Sequence, residues 1–498
     1  MIKNVINHNK RSGILKLRDI IAGTEGKLIN GTTDIEINAM TIDSRKAGDG
    51  VLFIAMVGMT VDAHKFIPSA YEKGTRAVIT EQEIENIPED MTVYQVESAR
   101  DALAVMAANF YNSPCRELNM IGVTGTNGKT STTYFIESVL NYIKHKTAVI
   151  GTVEIRIGGK KREIDFATST TPDTIELNQM LRIMADEKCD DVVMEVSSHS
   201  LELKKVKGID FKVGIFTNLT QDHLDFHKTM ENYCAAKAKL FKMCEYGVVN
   251  ADDEWADKIM ENADCKIMTY SIAKPSDLQA KDIEYLMDRV HFTVNIKGED
   301  VRFELMVPGR FSVYNALGAI GAMVSMGIET ADIKAGINNI KGVPGRIQNI
   351  PNDKGFNVIV DYAHTPDGLE NIINAVREFT KGRIITVFGC GGDRDRTKRP
   401  IMGRIVAELS DIPVITSDNP RSEEPEAILK EIEVGVKPVT DRYEMIVDRK
   451  SAIKKAIQIA EKGDSIIIAG KGHENYQILK DRTIHFDDAE VAAEILGE

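Results

Sequence analysis

The stretch GVTGTNGKTSTTYFIESVL, Gly122 to Leu140, constrains this chain more than any other. MIGVT, ending at Thr124, reads as a short buried strand. A glycine-rich turn follows, and Ile136, Val139, Leu140 and Ile143 then recur with the period of a helix's buried face. Strand, glycine turn and helix N-terminus make an anion site, because unpaired backbone amides and the helix dipole both favour negative charge there. Amides around Gly125 to Gly128 can cradle phosphates, Lys129 can reach the terminal phosphate, and Thr130 can hold a magnesium ion. The spacing departs from the standard phosphate loop, which has four residues between its first glycine and Gly-Lys-Ser/Thr. Here five residues separate Gly122 from Gly128, and two separate Gly125 from it. The plain alternative is a glycine turn with an incidental lysine. Even as a nucleotide loop, the stretch does not separate a ligase from a motor, a switch or a transporter ATPase.

A chain of 498 residues favours two to four domains. Its 43% hydrophobic and 28% charged residues, without an apolar run long enough to span a bilayer, fit a globular protein with no membrane insertion. The N-terminal MIKNVINHNKRSGILKL lacks the apolar core of a signal peptide, so a cytoplasmic location is expected. The six cysteines form no CxxC pair and are expected as reduced, packing thiols. A formal charge of -13 argues against sequence-independent nucleic-acid binding, which needs a cationic surface. Small anions remain compatible with it.

Two breaks organise the chain. Short apolar runs (VLFIAM, AVIT) and an alanine-rich helix from Ala99 to Phe110 end at Asn112-Ser113-Pro114. Beyond it, DVVMEVS, KVGIFTN and GVVN alternate with helical segments, which argues for a parallel sheet covered by helices. After Gly342-Val343-Pro344-Gly345 a second such pattern starts with NVIVDY and a helix whose Leu369, Ile372, Ile373 and Val376 share one face. RIITVFG, IPVITSD and SIIIAG each run into a polar or glycine-rich loop. Open parallel sheets bind ligands beyond the carboxyl ends of their strands. Chemistry is therefore expected at Gly389 to Arg396, Asp418 to Arg421 and Gly470 to Glu474.

Within the middle segment, one apolar strand ends in Glu195, Ser197, Ser198 and His199, and another in Asp222, His223, Asp225 and His227. Glu195 and Thr130 are oxygen ligands of the kind magnesium prefers; histidine is a less usual one. Helix caps and loop hydrogen bonds account for several of these polar residues, but less well for Glu195, whose strand is otherwise apolar. In the helix ENYCAAKAKLF, Lys237 shares a face with Tyr233, Leu240 and Phe241. Spacing alone favours a stem that snorkels to a solvated head. If the head is desolvated instead, its amine becomes neutral more readily and can react with carbon dioxide.

These residues carry a resemblance. GTNGKTSTT, MEVSSHSL, FTNLTQDHLDFH, YCAAKAKLF, VPGRIQ, DYAHTPDGLE, GCGGDRDRTKRP, SDNPR and GKGHE occur in the order seen in the Mur ligases. The chain resembles most the branch that adds the third residue of the peptidoglycan stem peptide. The resemblance implies an α/β protein of three domains. Residues 1–114 would bind the UDP-MurNAc end of the substrate. Residues 115–345 would form a central P-loop ATPase of mostly parallel sheet, and residues 346–498 a Rossmann-like domain bringing the amino acid. It implies ATP and Mg2+ as cofactors, UDP-MurNAc-L-Ala-D-Glu as acceptor and an amide formed through an acyl phosphate. A monomer is expected.

By motif match, Gly125, Thr126, Asn127, Gly128, Lys129, Thr130, Ser131, Asn315, Arg346, Asp361 and His364 would contact ATP. Thr130, Glu195 and His223 would hold the metal, and Lys129, Glu195, His223 and Lys237 would serve catalysis. Lys237 matches a lysine that the family carboxylates, which reverses the snorkelling expectation. Ser44, Thr170, Thr171, Ser197 and Lys205 would contact the nucleotide-sugar peptide. Lys205 stands where the family usually has arginine and lacks its planar fork. Ala63 replaces a common glycine, so little is carried over around Met59 to Val61.

Arg394, Asp418, Asn419, Pro420, Arg421, Gly470 and Glu474 would bind the incoming amino acid. The arginine in SDNPR resembles the version that adds meso-diaminopimelate, since a guanidinium pairs with the distal carboxylate that lysine lacks. A lysine-adding enzyme is the near alternative. A folylpolyglutamate synthetase shares the ATPase core, but SDNPR and GKGHE argue against it. A nucleotide switch would need no amide-forming site such as Glu195, His223 and Lys237.

Overall fold

Long apolar runs without polar alternation form strands buried on both faces, as parallel sheets require. The computed structural model describes residues 13–58, 61–162, 170–286 and 289–497. Residues 1–12 of the N-terminal stretch, Met59 and Thr60, and Thr168 and Ser169 just before Thr170 lie outside them. Contacts divide the chain into two units. The first comprises the chain to Tyr270 with Gly318–Ile328, and the second Ser271–Leu317 with the chain from Glu329 onward. The expected division at 114/115 falls inside the first unit, between its two sheets.

In the first unit, a five-stranded sheet runs in the order Gly26–Asn30, Thr92–Val96, Ala77–Thr80, Val51–Ile54, Ala39–Thr41. Only the first pair is antiparallel. The helix Ala99–Phe110 packs on it with Ala99, Leu103, Met106 and Phe110 buried, and Ser98 caps it by accepting the Asp101 amide at 3.3 Å. Asn112 and Ser113, both at positive φ, then turn the chain. The larger sheet places Asn119–Thr124 between Asp191–Glu195 and Phe211–Phe216, all parallel, with Thr147–Ile150 beyond the former and Cys244–Asn250 beyond the latter. Met120, Ile121, Val123, Val192, Val193 and Met194 are fully buried. Each such side chain contributes roughly 1.5–3 kcal/mol by leaving water. The helix Lys129–Tyr142 buries Ile136, Val139 and Leu140. Ile143 is its half-buried cap rather than part of the buried face, because the helix ends one residue earlier.

In the second unit, Leu278–Tyr285, Val290–Ile296 and Glu299–Leu305 form an antiparallel set. A second sheet runs Gln348–Asn349, Asn357–Asp361, Ser465–Ala469, Ile384–Phe388, Ile412–Ile415, Glu444–Met445, parallel except for its first pair. The helix Pro366–Arg377 buries Leu369, Ile372, Ile373 and Val376 as their spacing predicts. It starts at Thr365, whose hydroxyl accepts the Gly368 amide at 3.1 Å, with Pro366 in the first turn where no amide is needed. All six cysteines are free thiols, four of them buried.

Candidate active site

The strand Asn119–Thr124 ends directly in the glycine loop, and the neighbouring strand Phe211–Phe216 braces it. Beyond that second strand, Asn218 accepts the Thr126 amide on its carbonyl and the Asn127 amide on Oδ1, both at 2.9 Å. The Thr217 hydroxyl donates to Asn127 O at 2.6 Å. Gly125, at φ +150°, has no room for a side chain, since a Cβ would stand 1.8 Å from Thr217 Oγ1. Gly128, at φ +84°, opens the helix that carries Lys129, Thr130 and Ser131.

The Glu195 carboxylate, on a residue 1% exposed, is the hub of the polar cluster beside the loop. Its Oε1 accepts the Thr130 hydroxyl at 2.8 Å and the Thr152 amide at 3.1 Å, while Oε2 accepts the Thr152 hydroxyl at 2.8 Å. Thr152 Oγ1 lies 3.1 Å from Thr170 Oγ1. Thr171 Oγ1 donates to Glu195 O at 2.9 Å and accepts the Ser197 amide at 3.1 Å. Thr130, Glu195, Thr170, Thr171 and Ser197 are therefore one connected group. Ser131 is half-buried on the same helix. Lys205 is anchored by Asp173, 3.1 Å from its Nζ, and Asp173 caps the helix Thr174–Asp186 that follows Thr171. Ser44 opens a short turn in the smaller sheet, where Lys73 donates to its carbonyl. Among the described residues it has no hydrogen bond to the Glu195 group.

Lys237 corrects the expectation from spacing. Its head is buried, with the residue 1% exposed, and Nζ donates to Gly125 O at 2.8 Å beneath the ring of Tyr233, 4.5 Å away. Complete burial, and then the charge of Lys129, hold its amine well below the usual lysine range. Lys129 folds onto its own loop, donating to Gly125 O at 3.0 Å and Thr126 O at 2.8 Å. His223, at φ +53°, sets its ring 4.8 Å from that of His199. Burial, opposed by Asp222, lowers its pKa below the usual histidine value, which favours a neutral imidazole. His227 is pushed down to about 4 by burial and by His199, and its Nε2 pairs with Ser198 Oγ at 2.9 Å. Asp222 accepts the His223 amide at 2.8 Å, a local loop hydrogen bond of the kind the sequence allowed for, and the short helix Leu224–His227 that follows has no side-chain cap.

In the second unit, burial raises the Asp361 pKa against the pull of Arg346. Its carboxylate accepts the amides of Ile347 at 2.8 Å and Ala363 at 2.9 Å. The Arg346 guanidinium lies 4.8 Å over the Tyr362 ring, and Tyr362 also packs on His364 and His473. His364 Nδ1 donates to Tyr362 O at 2.8 Å. Asn315 is buried on the helix Arg310–Ser325.

The strand ends of the second parallel sheet gather the remaining candidates. Asp418, Asn419 and Pro420 are buried after the strand Ile412–Ile415, and Asn419 Nδ2 donates to Glu474 Oε2 at 2.9 Å. Gly470, at φ +116°, approaches Asp418 so closely that a Cβ would stand 2.7 Å from its Oδ2. Arg421, at φ +53°, donates from Nη1 to Gly392 O at 2.8 Å. A Cβ on Gly391 would meet Arg421 Nη1 at 2.9 Å and Arg394 Cγ at 3.7 Å, so both arginines border this glycine. Arg394 is exposed.

Three residues that sequence reasoning passed over support these groups. Thr152 holds both oxygens of Glu195. Arg449, wholly buried, pairs with Asp488 at 2.7 Å and donates to Ser417 O and Ala469 O, the residues before Asp418 and Gly470. Lys471 lies beneath Asn419 and Glu474. The motif GKGHE contained Lys471, but no spacing signal marked Thr152 or Arg449.

Three family models match the chain: Mur ligase family, catalytic domain, at 36–111; Mur ligase middle domain at 123–323; and Mur ligase, glutamate ligase domain, at 345–472. The UDP-N-acetylmuramoyl-L-alanyl-D-glutamate--2,6-diaminopimelate ligase 1 of Clostridium acetobutylicum is 48% identical over 486 residues, covering 97% of this chain and 100% of the relative. The corresponding ligase of Clostridium tetani is 48% identical over 488 residues, covering 97% and 100%. A solved structure of a UDP-N-acetylmuramoyl-L-alanyl-D-glutamate--2,6-diaminopimelate ligase superposes with a TM-score of 0.72 at 31% identity, covering 97% of this chain and 99% of that one. A Mycobacterium tuberculosis folylpolyglutamate synthase shares the fold, with a TM-score of 0.62 at 16% identity, over 80% of this chain and 95% of its own. The chain belongs to the Mur ligase family of ATP-dependent, amide-forming ligases.

Proposed function

We infer that this protein joins meso-diaminopimelate to the D-glutamyl side-chain carboxylate of UDP-MurNAc-L-Ala-D-Glu, an ATP-dependent step of peptidoglycan precursor synthesis in the cytoplasm. One observation carries the choice of amino acid: Arg394 and Arg421 border Gly391 beside the Asn419–Glu474 pair. The Arg421 guanidinium, which reaches Asn419 O at 3.5 Å, and the Glu474 carboxylate suit a ligand with a distal carboxylate and an ammonium group. L-Lysine would leave a guanidinium unmatched.

The acceptor carboxylate attacks the γ-phosphorus of ATP, ADP leaves, and an acyl phosphate results. The amine of diaminopimelate then attacks the acyl carbon, loses a proton and expels phosphate. The loop amides from Gly125 to Gly128 hold the phosphates, and Lys129 offsets charge developing on the transferred group. Asn315, Arg346, Asp361 and His364 are proposed to hold the rest of the nucleotide. Ser44, Thr170, Thr171, Ser197 and Lys205 are assigned to the acceptor.

The adjoining Thr130 hydroxyl and Glu195 carboxylate are a hard-oxygen donor set that fits Mg2+, with neutral His223 as a third candidate ligand. Bound there, Mg2+ would neutralise phosphate charge. The depressed pKa of Lys237 supports its carboxylation: the neutral amine adds to carbon dioxide and loses a proton, giving an anionic carbamate. Residues 1–114, 115–345 and 346–498 are assigned as the acceptor, ATPase and amino-acid domains of a monomer.

The test is ATP-dependent phosphate release with UDP-MurNAc-L-Ala-D-Glu and either meso-diaminopimelate or L-lysine, with the product weighed by mass spectrometry. Turnover on diaminopimelate alone is expected. Preference for lysine would overturn the reading of Arg421, and inactivity with both would overturn the substrate assignment.

A further inference from the structure

Lys471 has a side chain with 0% exposure, and its three ammonium hydrogens meet three acceptors: Glu474 Oε2 at 3.2 Å, Asn419 Oδ1 at 3.4 Å and Tyr476 O. Asn419 completes the ring of contacts. Its Nδ2 donates to the same Glu474 oxygen at 2.9 Å, and its Oδ1 also accepts the Ile478 amide at 2.9 Å. The amide of Asn419 is thereby fixed in one orientation, since a flip would set its NH2 against two donors. Among the described residues, the Glu474 carboxylate is engaged through Oε2 alone. Among the described residues its Oε1 accepts no hydrogen bond, although the side chain retains some exposure.

We propose that Lys471 is a positioning residue for the incoming amino acid, holding Asn419 and Glu474 as one unit so that Glu474 Oε1 remains available to the substrate's ammonium. Lys471 itself does not touch the substrate. This inference rests on the assignment of the Asp418–Arg421 and Glu474 cluster to the amino acid.

The experiment compares Lys471→Met and Lys471→Gln with the wild type by phosphate release, with ADP affinity as the check that the nucleotide site is formed. The KM for diaminopimelate should rise about tenfold or more, while those for ATP and the nucleotide-sugar peptide stay within about twofold. In a Glu474→Gln background the added rise should shrink to less than about twofold, because the residue through which Lys471 acts has already been altered. An unchanged KM for diaminopimelate overturns the proposal. So does an equal rise for all three substrates, or a full tenfold effect in the Glu474→Gln background. Loss of ADP binding in both variants would make Lys471 a stability residue and would also overturn it. Should the wild type turn over another amino acid, the diaminopimelate assignment falls, and the same comparison with that amino acid still decides the role of Lys471.

Discussion

Lys129 and Lys237, far apart in the chain, donate to one and the same oxygen, the carbonyl of Gly125, at 3.0 and 2.8 Å. Two cations on one acceptor repel each other, and only Lys237 is wholly buried, so Lys237 is the one driven toward its neutral form. Lys237→Ala is expected to lose at least about 100-fold in kcat, a magnitude typical of losing charge stabilisation at the transition state. Short carboxylic acids added to the assay should restore part of it by supplying the missing carboxylate. Full activity in the unsupplemented mutant would refute a carbamate at this position.

Thr152 donates to both oxygens of Glu195 and is expected to orient the carboxylate for Mg2+. Thr152→Val keeps the backbone donor and removes the hydroxyl. The Mg2+ concentration for half-maximal activity should rise about tenfold, as for other groups that orient a metal ligand. A magnesium titration of phosphate release checks this, and an unchanged midpoint would remove Thr152 from the metal site.

Arg421 keeps a left-handed backbone at φ +53°, uncommon for a residue with a side chain, while its guanidinium donates to Gly392 O. Arg421→Ala should lower kcat/KM for diaminopimelate about 100-fold or more and narrow the preference over L-lysine. Competition between the two amino acids, read from product masses, measures both effects together.

Gly125 is closed to any side chain, because a Cβ would lie 1.8 Å from Thr217 Oγ1. Gly125→Ala must push apart the loop and the strand end that braces it, and should abolish ADP binding measured by calorimetry. Gly159→Ala meets no atom within 4 Å, although its positive φ adds strain, and should leave ADP binding intact.

His227 has a folded-state pKa of about 4 against an ordinary value of 6.5. Between those values the unfolded chain binds more protons than the folded one. Its contribution to stability is therefore fully present above pH 6.5 and is lost as pH falls toward about 4. His227→Gln should flatten the acid limb of the denaturation midpoint across that window. An unaltered slope would show that other groups govern it.

Much of this protein is written in local sequence. Periodicity placed Leu369, Ile372, Ile373 and Val376 on one buried helix face, and the uninterrupted apolar run ending at Glu195 marked a strand buried on both sides. The glycines and lysine of the loop fixed a strand, turn and helix N-terminus, because few other conformations suit Gly125 and Gly128. SDNPR and GKGHE were legible as strand-end loops for the same local reason. Tertiary structure alone decided which polar groups meet. The spacing around Lys237 showed its face but not what covers it, and so pointed to a solvated head; the cover is the Gly125 loop, more than a hundred residues earlier. Thr152 meets Glu195, Arg449 ties Ser417 to Ala469, and Lys471 meets Asn419, each through contacts between distant segments. Side-chain period reports which way a residue points along its own element. Its charge, its partners and its protonation depend on burial and neighbours, which exist only once the sheets have assembled.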